Sequence, residues 1–198
     1  MEDKNNNSEP SRAIRFVLFG LVAIGVIATS IAFAILHTDD FDTRIRFALS
    51  DHNGNAVTES TYRGQHLLVF FGFTNCPQIC PTQMAKLTRV VDRLEATPGS
   101  ESLVPLFVSI DAERDSVQKV QTYVSHFHPR FVGLTGTAEA LARARRSFDV
   151  LATASSDDSA VRHSSVAYLV DADGYLVTHI APDATVEESV SKIQEAML

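Results

Sequence analysis

The chain reads as an α/β domain, a mixed sheet with helices on both faces, preceded by a single apolar helix. Three observations predict this. Strand-like and helix-like patterns alternate along most of the chain, two of the strands are unbroken apolar runs, and 21 consecutive residues near the start carry no charge. Composition agrees with a folded domain: the 198 residues are 45% hydrophobic and 21% charged, too apolar for disorder. The 24 acidic and 17 basic side chains give a net charge of −7, so no basic excess exists to neutralise phosphates and no nucleic-acid partner is expected. Within residues 1–36, Glu2, Asp3 and Glu9 balance Lys4, Arg12 and Arg15, so the negative charge belongs to residues 37–198.

The uncharged stretch is Phe16–Leu36. As a helix it reaches roughly 31 Å, the thickness of a bilayer hydrocarbon core. It is longer than the apolar core of a cleaved signal peptide, although Ala32-Phe33-Ala34 resembles a cleavage site. It also lacks the polar stripe of a helix packed on a globular core. The expected organisation is a short cytoplasmic tail at 1–15, a transmembrane anchor at 16–36, a linker at 37–44 and a domain at 45–198. Arg12 and Arg15 before the span bias the N-terminus towards the cytoplasm. The acidic, Asn-rich start is unlike a mitochondrial transit peptide. A bacterial inner-membrane protein with its domain in the periplasm is expected.

In the soluble part, Arg46–Thr58 alternates around Asn53-Gly54 as a hairpin does, and His66–Phe73 is an apolar run suited to a central strand covered on both faces. Pro81–Ala96 places Met84, Leu87, Val90, Val91 and Leu94 at helical spacing. Leu103–Ile110 is a second buried strand and Ser116–Phe127 a helix. Phe131–Leu134 is a short strand or turn, and Thr137–Phe148 a further helix. Ser165–Val170 and Tyr175–Ile180 flank Asp173-Gly174, the strongest hairpin signal in the chain, and Val186–Met197 closes as an amphipathic helix. A thioredoxin-like arrangement is the simplest architecture that puts a helix directly after the first central strand and ends in a hairpin and a helix.

The only two cysteines, Cys76 and Cys80, fall where that first central strand gives way to its helix. Amides and dipole at a helix N-terminus stabilise a thiolate, so a lowered thiol pKa is expected there. Pro77 and Pro81 stiffen the junction without sacrificing a helix bond. Residues four apart project from one face, so both sulfurs can converge on each other or on one soft cation such as copper. Two sulfurs leave a metal under-coordinated, and a third ligand must come from elsewhere. A packing pair or a small structural disulfide is the plainer alternative.

Among the seven histidines, His37, His52 and His66 read as surface or boundary residues, His126 and His128 as caps at a helix end, and His179 as exposed on the last strand. His163 lies between a polar stretch, Ser155–Ser159, and an apolar strand. There it is either a plain loop histidine or one that swings over a site. The Asp111, Glu113, Arg114 and Asp115 cluster is expected to cap and charge the following helix rather than to act as acid–base machinery. Arg143, Arg145 and Arg146 read as a solvated helix face.

Four stretches, FFGFTNCPQICPTQM, SIDAERD, FHPRFVGLTG and RHSSVAYLVDADG, occur in the order found in the Sco/SenC family, which the chain resembles over residues 45–197. Members are membrane-anchored copper proteins of thioredoxin fold that help assemble cytochrome c oxidase. The resemblance implies that Cys76 and Cys80 are thiolate ligands and His163 the distal imidazole ligand of a copper ion, Cu(I) or Cu(II). The implied partner is the copper-bearing subunit of cytochrome c oxidase or another copper-dependent target. The implied function is a metallochaperone for the binuclear copper centre rather than an enzyme, with a reduced pair that binds copper and a disulfide that does not. Ala112 stands where the family typically has Pro, and Gln78 where it often has an acid, a change that removes a negative charge near the site. The rival functions are a dedicated thiol–disulfide oxidoreductase, a redox or copper sensor, and a peroxidase-like protein. Against the last, Thr74 precedes Cys76 by two residues rather than the three of the peroxiredoxin pattern.

Overall fold

Strand order, read across the sheet, is β2-β1-β5-β4-β3-β6-β7. The computed structural model describes residues 44–97, 99–148 and 165–197. The strands are β1 (Ala48–Asp51), β2 (Ala56–Thr58), β3 (His66–Gly72), β4 (Leu103–Ser109), β5 (Val132–Thr135), β6 (Ala167–Val170) and β7 (Leu176–Ile180). The helices are α1 (Ile79–Glu95), α2 (Val117–Val124), α3 (Ala138–Ser147) and α4 (Val186–Ala196). Every sequence-predicted element in this range is present, and Phe131–Leu134 resolves as a strand. The central strands β5, β4 and β3 are parallel to one another, whereas β1–β2, β1–β5, β3–β6 and β6–β7 are antiparallel. This is the mixed, thioredoxin-like sheet the alternation predicted.

The unbroken apolar runs follow from burial on two faces. Along β3, Leu67, Val69 and Phe71 point into one core with Leu141 and Ala144 of α3. Leu68 and Phe70 point into the other, with Met84, Leu87 and Val91 of α1, Val120 and Val124 of α2 and Ile193 of α4. Side chains alternate across a strand, so a strand covered on both faces has no polar position left. The edge strand β7 shows the contrast, with Val177 and His179 exposed and Ile180 buried.

The turn at Asp173-Gly174 forms as predicted. Gly174 has φ of 90°, a conformation that β-carbons disfavour, and Asp171 Oδ1 accepts the amides of Asp173 and Tyr175 at 3.0 and 2.8 Å. The chain enters the fold there, through a bridge between Arg44 and Tyr175 and an Ile45 amide donating to Gly174 O at 2.8 Å. Among the described residues no helix is long and apolar enough to cross a membrane. The expected tail and span at 1–36, and the linker up to residue 43, lie outside them.

Two assignments are corrected. His128 is buried rather than a helix cap: its Nδ1 accepts the Arg130 amide at 3.2 Å, while Nε2 lies 3.4 Å from Asp92 Oδ1 and 3.3 Å from Glu95 Oε1 of α1. Tertiary packing, not the helix dipole, decides its place. Arg145 is half-buried and donates to the Ile110 carbonyl at 3.2 Å, so the α3 arginines are not all a solvated face.

Candidate metal centre

The site lies at the C-terminal ends of β3 and β4, where Gly72 pairs with Ser109. After Gly72 the chain turns, with the Cys76 amide donating to Phe73 O at 3.2 Å, and α1 begins at Ile79. The helix therefore starts two residues before the predicted Pro81 and takes Cys80 into its first turn. No side chain of the N-cap residue Gln78 caps this helix. Instead, the Cys80 amide donates to the sulfur of Cys76 at 3.3 Å, so Cys76 accepts one of the helix's N-terminal N–H groups.

The cysteines differ in exposure. Cys80 is fully buried and Cys76 half-buried, and no disulfide joins them. Burial pushes the Cys80 thiol up to about 12; a backbone hydrogen bond from Phe73 opposes this, and the neighbouring Cys76 and Asp115 add to it. The expected lowering by the helix N-terminus is thus overturned at Cys80, because removing a sulfur from water outweighs one turn of dipole. Gly72 makes the room: a β-carbon there would sit 3.1 Å from Cys80 Sγ and 2.9 Å from Phe107 Cε2.

Asp115, expected to cap α2, does something else. Ser116 is the cap, its hydroxyl accepting from Lys119 N. Asp115 is 1% exposed, and its carboxylate accepts the Thr74 amide at 3.0 Å, the Thr74 hydroxyl at 2.6 Å and the Ser109 hydroxyl at 2.7 Å. Its backbone carbonyl accepts from Thr135 Oγ1 at 2.8 Å. One buried residue thus joins the cysteine loop to the ends of β4 and β5. The adjacent Ser116 is itself a good cap, and that surplus of capping residues was the available signal.

The third sequence-predicted ligand, His163, lies outside the described residues. Among those described, no group of three or more His, Cys, Asp or Glu side chains converges as a metal site, and the cysteine pair stands as two soft donors. Two cysteines one helical turn apart, the amide of one bonded to the sulfur of the other and Gly72 leaving room beside Cys80, fit one soft cation in need of a further ligand.

A thioredoxin-like sheet with a C-x3-C pair at the end of its central strand defines a class of thiol or soft-metal proteins. Within it, the profile of the SCO1/SenC family matches residues 37–198, and the chain belongs to that family. It is 40% identical over 155 residues to the mitochondrial SCO2 homolog of Bos taurus, covering 76% of this chain and 58% of that protein. The chain thus spans a little over half the length of that curated relative. Among solved structures, copper-bound ScoI of Arabidopsis thaliana matches with TM-score 0.70 and 34% identity, over 77% of this chain and 96% of that one. Copper-bound ScoI of Bradyrhizobium japonicum matches with TM-score 0.67 and 31% identity, over 77% and 98%.

Proposed function

We propose that the chain is a copper-binding assembly factor that holds one copper ion as cargo between Cys76, Cys80 and His163 and serves the binuclear copper centre of cytochrome c oxidase. The observation that carries this reading is the cysteine pair at the mouth of β3, where the Cys80 amide donates to the Cys76 sulfur at 3.3 Å, in a fold whose relatives include copper-bound proteins. Thiolates suit Cu(I), and an imidazole completes a three-donor set that a sulfur pair alone lacks. In the same reading, Phe16–Leu36 anchors the chain in a bacterial inner membrane and the domain faces the periplasm, which agrees with the uncharged span and the bases before it.

The test is copper stoichiometry and affinity for the full chain and for Cys76→Ser, Cys80→Ser and His163→Ala. Each variant is expected to lose tight binding; unchanged binding in all three refutes the site.

The unequal exposure of the cysteines favours one second reading, a dedicated thiol–disulfide oxidoreductase. The half-buried Cys76 attacks a partner disulfide, and the enclosed Cys80 resolves the mixed disulfide, leaving a Cys76–Cys80 bond and a reduced partner. Turnover of a disulfide substrate by a His163→Ala variant that no longer holds copper selects this reading over the first.

A further inference from the structure

We propose that the arginine-lined cleft where the chain enters the fold is the seat of the domain on the bilayer, its guanidinium groups taking the phosphates of zwitterionic phospholipid headgroups. The inference rests on the reading of Phe16–Leu36 as a membrane anchor, and it adds which end of the domain meets the lipid. Only seven residues, 37–43, lie between that span and Arg44. Their full reach is at most about 29 Å, so Arg44 is held within that distance of the end of the span.

The cleft has a volume of about 220 Å³, and its charged lining is Arg44, Arg46, Arg63, Glu59 and, from the β6–β7 turn, Asp171 and Asp173. Three guanidinium groups lining one cleft stand out on residues 37–198, which carry the whole net negative charge of the chain. Two of the three carboxylates are engaged within the fold. Glu59 Oε2 accepts the Phe47 amide at 3.0 Å, and Asp171 Oδ1 accepts two amides of its own turn. Asp173 is exposed, as are Arg46 and Arg63. Guanidinium forks match phosphate oxygens, and a carboxylate beside them suits the ammonium of the same headgroup. The mixed lining therefore fits a zwitterion better than a purely anionic lipid.

Apolar side chains continue this surface. Among the described residues three large hydrophobic side chains are exposed, and two of them, Tyr175 and Val177, follow Gly174 of the cleft along the chain. The Arg44 guanidinium stacks on the Tyr175 ring at 4.8 Å and donates to its hydroxyl at 3.3 Å. An exposed tyrosine, with an apolar ring and a polar tip, suits the headgroup layer. The cleft also lies at the far end of the sheet from the cysteines. Gln65 and Leu67 of its lining stand at the start of β3, whose other end, Gly72, leads to Cys76. That strand alone spans roughly 20 Å. Seated this way, the domain turns the sulfur pair away from lipid and towards the soluble part of a partner.

The experiment uses the full chain in vesicles of phosphatidylethanolamine and phosphatidylcholine. The sequence has no tryptophan, so Tyr175→Trp and Glu113→Trp each introduce a single emitter. The first stands beside the cleft and the second in the exposed loop after β4, at the cysteine end. A lipid with a nitroxide on its headgroup is expected to quench the first chain about threefold more than the second, because quenching acts near contact and the emitters stand at opposite ends of β3. Adding Arg46→Glu and Arg63→Glu to the first chain is expected to bring its quenching down to that of the second. If the charge-reversed chain melts below its parent, Arg46→Gln with Arg63→Gln takes its place, and the same loss is required. Equal quenching of the two emitters, stronger quenching at the cysteine end, or quenching that survives loss of the arginines overturns the proposal. Retention after an alkaline wash is read on the same vesicles. A chain that washes off defeats the anchor reading and this proposal with it, whereas a retained chain without preferential quenching defeats the proposal alone.

Discussion

Asp115 accepts two hydrogen bonds from Thr74, the amide at 3.0 Å and the hydroxyl at 2.6 Å, so a carboxylate 41 residues downstream fixes the loop that carries Cys76. A third bond, from Ser109, comes from the strand that pairs with β3. Asp115→Ala leaves three donors without their acceptor, two of them on the partly buried Thr74 and one on the buried Ser109. The expected loss is about 2–4 kcal/mol of stability, since each bond to a charged acceptor contributes about 1.5–3 kcal/mol and the three are not additive. Asp115→Asn is expected to fall between, because its amide NH2 faces a donor. Urea unfolding of the three chains measures this, and equal midpoints contradict the linkage.

Gly72 touches both the core and the site. Gly72→Ala brings a β-carbon to 2.9 Å from Phe107 Cε2, 3.1 Å from Cys80 Sγ and 3.2 Å from Phe70 Cε1. Aromatic neighbours in a packed core yield little, so a loss of about 1–3 kcal/mol is expected. Displacement of the Cys80 sulfur adds weaker copper binding. A variant with wild-type stability and affinity shows that the gap is not needed.

Acid stability is expected to involve Asp51 at the first hairpin. Burial raises the pKa of its carboxyl, but hydrogen bonds from the Asn55 side chain and the Asn55 and Asn53 amides, with the nearby His52, lower it more, and the net shift is downward from 3.8. A group whose pKa falls on folding adds stability above its unfolded pKa, and that stability is lost as pH drops through the folded value. Asp51→Asn should therefore be less stable than wild type at pH 7, with the gap closing below about pH 4. Denaturant midpoints at pH 7 and pH 3 check this; an unchanged gap rules out the ionic contribution.

Helix α4 begins with a reciprocal cap. The Glu188 amide donates to Thr185 Oγ1 at 3.1 Å, and the Thr185 amide donates to Glu188 Oε2 at 2.8 Å. Thr185→Ala is expected to lose about 1 kcal/mol. A thermal scan measures it, with copper binding unaffected because α4 holds none of the proposed ligands.

Element existence was legible in the sequence because burial writes periodicity. Alternate residues of β3 enter opposite cores, so its run had to be apolar throughout, and α1 shows its buried face at Met84, Leu87, Val91 and Leu94. The cysteine pair was legible too, being two of a kind at a strand-to-helix junction. What local pattern does not encode is which distant atoms meet. Asp115 looked like a cap and is a buried acceptor for Thr74; His128 looked like a helix cap and is enclosed beside Asp92 and Glu95. Spacing along the chain by itself determined the strands, the helices and the sulfur pair. The burial of Cys80 and the polar groups around it were decided by tertiary packing alone, because desolvation and hydrogen bonding depend on neighbours brought together from separate segments.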